Sequence, residues 1–210
     1  MLANLYLGTG WIAQVGAVLL VALVWAAVLA QPLVPLFSPH PLLQSVGVLA
    51  LVQAVLVLQP TATPADKAAG ARAHAALNLL SFLLFAAGVI LIEVNKQING
   101  MAHFKSTHGL LGVVTAVLLL GQYVFGFLMW GVPGLLGGID KAKVLWKYHR
   151  ASGYVILLLI LVTVATASDT TYNLNVLGIR RWSLIVAVAL ILVGIAPRIQ
   201  LAKFGFHRAH

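Results

Sequence analysis

Four of the seven histidines in this 210-residue chain fall at regular intervals. His40 to His74 is 34 residues, His74 to His108 is 34 again, and His108 to His149 is 41. The Gly-rich stretch "GVPGLLGGIDKAK" absorbs the excess in the last interval. Each of the four opens an apolar run. Neutral imidazole is a good ligand for iron, and two facing imidazoles close both axial positions of a haem. Iron closed in this way suits electron transfer better than oxygen binding. One histidine at a helix end is more often an interfacial or hydrogen-bonded residue. Four at matching depth form a pattern, provided the chain folds so that they meet in pairs. The absence of cysteine excludes disulfides, thiolate metal sites and the covalent CxxCH attachment, so any haem is held noncovalently.

The elements that must position these residues are membrane helices. The chain is 61% hydrophobic and only 8% charged, against about 25% charged in soluble domains. No Asp, Glu, Lys or Arg occurs over residues 1–65, 73–92, 106–139, 151–168 or 182–197. A transmembrane helix needs about 20 mostly apolar residues. The first run holds two such helices, divided where Pro32, Pro35, Pro39 and Pro41 break the backbone pattern. Six spans are expected, near 11–31, 41–59, 72–94, 107–131, 146–168 and 182–200. The first lacks a basic n-region and is too long for a signal peptide, so it is expected to stay as a helix. The loops are too short to fold alone, which predicts one domain over 1–210: an all-α membrane protein, a six-helix bundle.

With six spans, both termini share a side with the loops after the second and fourth helices. That side holds Lys67, Arg72, Lys141, Lys143, Lys147, Arg150, Arg198, Lys203 and Arg208, against Lys96, Lys105, Arg180 and Arg181 opposite. The asymmetry predicts cytoplasmic termini. The basic residues are scattered over short loops, which argues against nucleic acid and for topology and anionic headgroups. Alternating helix directions bring His40 to the level of His108, away from the cytoplasm, and His74 to the level of His149, close to it. Bundle interiors are where facing helices assemble such sites. In "SPHP", Ser38 is a candidate cap and Pro41 is tolerated in the first turn, so the prolines fix where the His40 ring points. Gly109, Gly112, Ala151, Ser152 and Gly153 beside the histidines suit either a flat cofactor or plain helix–helix contact.

The segments "SPHPLL", "ARAHAALN", "THGLLG" and "KYHRASGY" resemble the eukaryotic cytochrome b561 family in order and spacing, over about residues 25–170. The resemblance implies a four-helix core holding two b-type haems, one at His40 and His108 and the other at His74 and His149. It further implies ascorbate as cytoplasmic donor and monodehydroascorbate or a ferric chelate as acceptor, in an endomembrane or the plasma membrane; a homodimer is compatible with it. For an anionic donor, Arg72 and Arg150 flank the cytoplasmic histidines, with Lys67 and Lys147 as secondary candidates; all four also serve topology. On the other face "NKQINGMAHFKSTH" offers Lys96, His103 and Lys105 to an anionic acceptor, or simply an exposed polar loop. Asn78 and Gln122 are intramembrane polar residues expected to bond between helices or approach a haem edge, and Glu93 is expected to pair with Lys96 or Lys105. His207 and His210 receive no role. Two other readings remain: a cytochrome oxidising quinol at an apolar lateral pocket, and a transporter using the histidines for protons or zinc. Transport sites lie nearer the midplane, often in broken helices.

Overall fold

The computed structural model describes residues 2–58, 61 and 63–204. His207, Arg208 and His210 lie outside them, as does Gln59 at the expected end of the second span. The described residues form six long helices joined by short turns, with no strand among them. They are α1 (Gly10–Leu29), α2 (Pro39–Leu56), α3 (Pro64–Ile98), α4 (Thr107–Gly131), α5 (Ile139–Thr166) and α6 (Arg181–Ile195). All six are long and apolar enough to cross a membrane, α6 together with the turn that carries it on to Arg198.

Two helices outrun the expected spans. α3 begins at Pro64 rather than near 72, and α5 at Ile139 rather than near 146. The cause for α3 is local. Thr63 has extended backbone, its hydroxyl accepts from the Asp66 N–H at 3.1 Å, and Pro64 fills the first position, where a missing N–H costs nothing. At 35 residues, α3 is roughly 52 Å long at 1.5 Å per residue. Its first turns therefore project beyond about 30 Å of hydrocarbon.

The start of α2 also departs from expectation. Ser38 occupies the cap position without capping; its hydroxyl accepts from the Val34 N–H at 2.8 Å. The preceding turn does the work, with Leu36 in the left-handed region at φ 65° and Phe37 packed on Tyr172, ring centroids 4.0 Å apart. Leu36 pays for that conformation with roughly 1–2 kcal/mol, which the packing around it must offset.

The apolar core runs between α1 and α6 and on to α2 and α5, through Ala17, Leu20, Val48, Val52, Leu161 and Ile191. Small residues set the closest approach. A Cβ on Gly194 would strike the main chain of Ala13, and one on Gly16 would meet the Ala187 carbonyl at 2.7 Å. α2 packs on α3 and α4 on α5; α3 touches α4 through Phe82 stacked on Tyr123, at 4.6 Å and 13°. α4 buries little, chiefly Thr115 and Met129. The 3–10 turn at 2–5, the end of α6 and the segment to Phe204 gather on one face. There Asn4 donates to the Val57 carbonyl (3.1 Å) and Thr9 to that of Gly194 (2.8 Å). This is the terminal face.

Candidate functional site

Each hairpin, α2/α3 and α4/α5, carries two histidines, and each histidine is held by the other helix of its own hairpin. His40 Nδ1 donates to the Gly88 carbonyl at 2.9 Å, and His74 Nδ1 to that of Ala54 at 2.7 Å. His108 Nδ1 donates to the Thr163 carbonyl at 2.9 Å. A main-chain carbonyl has a second lone pair to offer after its helical bond, so a helix flank can hold a ring without any dedicated side chain. His149 differs: its Nδ1 lies 3.0 Å from the Gln122 amide nitrogen.

Across the two hairpins the rings meet as expected. His40 and His108 have centroids 6.2 Å apart with planes at 79°; His74 and His149 are 6.4 Å apart at 84°. Nitrogen sits about 2.0–2.1 Å from a first-row metal such as zinc, and the ring centre roughly 1.1 Å beyond. Two imidazoles on opposite sides of one metal thus have centroids about 6.3 Å apart. Both pairs match that distance. Where Nδ1 donates to a carbonyl, the tautomer is fixed and Nε2 keeps its lone pair. Among the described residues no three His, Asp or Glu side chains gather as a metal-ion site. Each pair stands alone, which suits a metal that brings its own equatorial ligands, as haem iron does.

The geometry and the segments around these histidines point the same way as comparison with known proteins. Residues 39–173 match the family model described as eukaryotic cytochrome b561. The chain belongs to the eukaryotic cytochrome b561 family. It is 37% identical over 140 residues to the transmembrane reductase CYB561D2 of Homo sapiens, covering 65% of this chain and 62% of that one. It is 24% identical over 126 residues to the ascorbate-specific transmembrane electron transporter 2 of Zea mays, covering 60% and 52%. With the lysosomal membrane ascorbate-dependent ferrireductase CYB561A3 of Mus musculus the figures are 30% over 100 residues, 47% and 41%. The chain therefore spans less than two thirds of the length of these relatives. Cytochrome b561 proteins bind haem, and the two imidazole pairs fit that group.

The charged candidates divide by face. On the terminal face Arg72, Lys67 and Lys147 are exposed, with the Lys147 ammonium 5.0 Å from the Tyr148 ring centroid. Arg150 is half-buried; its guanidinium donates to the Lys203 carbonyl at 2.5 Å and lies 5.7 Å from the Phe204 ring centroid. Lys203, counted from sequence only toward topology, joins this group. Burial first, then repulsion from Arg150 and Lys67, holds its ammonium below the ordinary lysine range. On the opposite face Glu93 takes two of the three candidates: His103 Nδ1 at 2.5 Å and Lys96 Nζ at 3.4 Å. The expected pairing with Lys96 is present; Lys105 is exposed and makes no ion pair among the described residues.

Of the intramembrane polar residues, Asn78 bonds within its own helix, to the His74 carbonyl at 2.8 Å. Gln122 does bond between helices. Besides Nδ1, its amide nitrogen donates to the His149 carbonyl at 2.7 Å, and its oxygen accepts from Ser152 at 2.7 Å. Two glycines make room for this cluster: a Cβ on Gly126 would meet His149 Cε1 at 2.8 Å, and one on Gly153 would meet the Gln122 amide at 3.1 Å. The sequence carried no signal for Gly126 beyond its place four residues after Gln122, one helical turn on.

Proposed function

We propose that this chain passes electrons across a membrane through two noncovalent b-type haems, one between His40 and His108 and one between His74 and His149. The donor is cytoplasmic ascorbate at the terminal face; the acceptor opposite is monodehydroascorbate or a ferric chelate. The observation that carries this reading is the pair of imidazole pairs, each at a separation that would let its two rings hold one metal between them. The names of the relatives from Homo sapiens, Zea mays and Mus musculus, a reductase, an ascorbate-specific electron transporter and an ascorbate-dependent ferrireductase, support the donor and the reaction class.

Bound haem supplies a one-electron ferric/ferrous couple. The rest falls to the chain's own residues. His40, His74 and His108 keep Nε2 free of the ring proton by giving Nδ1–H to a carbonyl. The apolar helices exclude water around both layers. At the terminal face Arg150 and Lys203, with Lys67 within reach of their charge, attract and orient an anionic reductant. No acid or base step on a substrate carbon is required of any side chain.

The test is a visible spectrum of the detergent-purified, haem-supplied protein, oxidised and then with ascorbate, with haem counted per chain. Two haems reduced by ascorbate are expected. Two haems reduced only by dithionite would replace ascorbate with another donor such as quinol. No haem would leave the histidines to protons or metal.

A further inference from the structure

The helix α5 tightens as it ends. The Ala167 N–H turns to the Val164 and Ala165 carbonyls, and a 3–10 turn follows over Ala167–Asp169. The Thr163 carbonyl, in the last turn, is left without that helical N–H. Two side chains take its place. His108 Nδ1 donates to it at 2.9 Å, and the Thr166 hydroxyl donates to it at 2.8 Å. A carbonyl oxygen has two lone pairs, so it accommodates both. The Thr163 side chain fixes the meeting. Its hydroxyl donates to the Leu159 carbonyl at 2.8 Å and lies 3.1 Å from the hydroxyl of Thr115, two turns after His108 on α4. Side chains of a helix lean toward its N-terminus, while its carbonyls point toward the C-terminus. Thr163 therefore grips α4 at two levels, by its side chain at Thr115 and by its carbonyl at His108.

Two donors on one oxygen compete for it. The Thr166 hydroxyl draws on the same carbonyl as His108, so Nδ1–H is pulled outward less than by that carbonyl alone. A less polarised Nδ1–H makes the ring a poorer electron donor at Nε2, and a metal held there is easier to reduce. We infer that Thr166 is a positioning residue that raises the reduction potential of the haem at His40 and His108 by sharing the Thr163 carbonyl with His108. The inference rests on the haem assignment proposed above. A higher potential in the layer far from the termini favours electron flow toward it. At His40 no single side chain has this control, because the Gly88 carbonyl lies inside α3, where its other donor is a helical N–H.

The experiment is a spectroelectrochemical titration of the haem-loaded full chain, with low-spin electron paramagnetic resonance on the same samples. Thr166→Val removes the hydroxyl at nearly constant volume. One of the two midpoint potentials is expected to fall and the g values of that haem to move, with the other unchanged. Thr166→Ser keeps a hydroxyl and is expected to hold both midpoints where they were. The shifted midpoint should be the one that disappears in His108→Ala. Both midpoints unmoved in Thr166→Val, at two haems per chain, would overturn the inference. So would an equal shift in Thr166→Ser, or a shift in the midpoint that survives His108→Ala. If Thr166→Val loses a haem, Thr166→Ala removes the same hydroxyl with less bulk, and an unmoved midpoint or haem loss there makes the residue structural only and overturns the inference too. His108→Ala separates the underlying reading: if it keeps two haems, the ligand assignment fails whatever Thr166 does.

Discussion

In the layer far from the termini, His40 and His108 are each the second residue of a helix; in the terminal layer, His74 and His149 are each the eleventh. The equal 34-residue spacing conceals this. Near the terminal face, α3 and α5 continue past their histidines and lift Lys67, Arg72, Lys147 and Arg150 around the site on regular helix. At the other face the chain turns at once, and the loop returns His103 to Glu93, which also holds Lys96, while Lys105 stays exposed. One layer ends in cations with few counter-charges, the other in a cluster where Glu93 offsets part of the positive charge. The same imidazole geometry is thus presented to two different surroundings, one fit to gather an anionic reductant and one with a weaker field. The proposed direction of electron flow calls for two faces that differ in this way.

The largest test of this two-layer scheme is deletion of a ligand. His108→Ala is expected to halve the haem content, from two per chain to one, leaving the His74/His149 site able to be reduced by ascorbate. Haem and protein assayed on one sample decide it. Loss of both haems, or of neither, would falsify the pairing.

Next in size is Gly126→Ala. Its new Cβ would sit 2.8 Å from His149 Cε1, in a ring whose Nδ1 is already held by Gln122 one turn earlier on the same helix. Overpacking of this kind costs about 1–3 kcal/mol, so one haem is expected to bind weakly and be lost on dilution while the other stays. Equal retention of both would show that the ring can move aside. A uniform loss would mean the two layers are not independent.

Much of this was legible beforehand. Five uncharged runs, the first divided by its prolines, became six helices, because lipid leaves a spanning backbone no option but to satisfy itself internally. Alternating direction then brought His40 to His108 and His74 to His149. What hydropathy could not report was polar helix: the first turns of α3 and α5 are hydrophilic, and only the Thr63–Asp66 capping pair marks one of them. Ser38 was assigned as a cap because its residue type favours that role, but the hydroxyl had a nearer claimant in Val34. The His149–Gln122–Ser152 cluster was half visible. An amide inside a membrane helix must find partners, yet its partner 27 residues away was chosen by a contact between α4 and α5 that no local pattern encodes.

The contrast between faces can be sharpened by removing one cation from each. Arg150→Ala takes away a charge that also tethers the segment ending at Phe204. A hydrogen bond to a charged group is worth roughly 1.5–3 kcal/mol. The ascorbate concentration for half-reduction is therefore expected to rise about tenfold to a hundredfold, at unchanged haem content. Lys105→Ala is expected to change acceptor reduction by less than about threefold, since an exposed ammonium acts mainly by field. Equal effects would erase the distinction between the faces.

The smallest effect belongs to Glu93→Gln. That carboxylate binds His103 and Lys96, with each side chain of the three between a fifth and about a third exposed, at 34%, 32% and 20%. At that exposure the pairs contribute little, and unfolding stability is expected to change by less than about 1 kcal/mol. The kinetic effect has a definite sign. Removing one negative charge leaves Lys96 and Lys105 uncompensated beside the His40/His108 layer, so an anionic acceptor such as ferricyanide should be reduced faster, roughly two- to fivefold at low ionic strength. The gain should fade as salt shortens the screening length to about 10 Å at 0.1 M, while reduction by ascorbate at the terminal face stays as it was. An unchanged rate at low salt would mean that the acceptor docks away from Glu93. The opposite face would then owe its character to the loop's shape rather than to its charge.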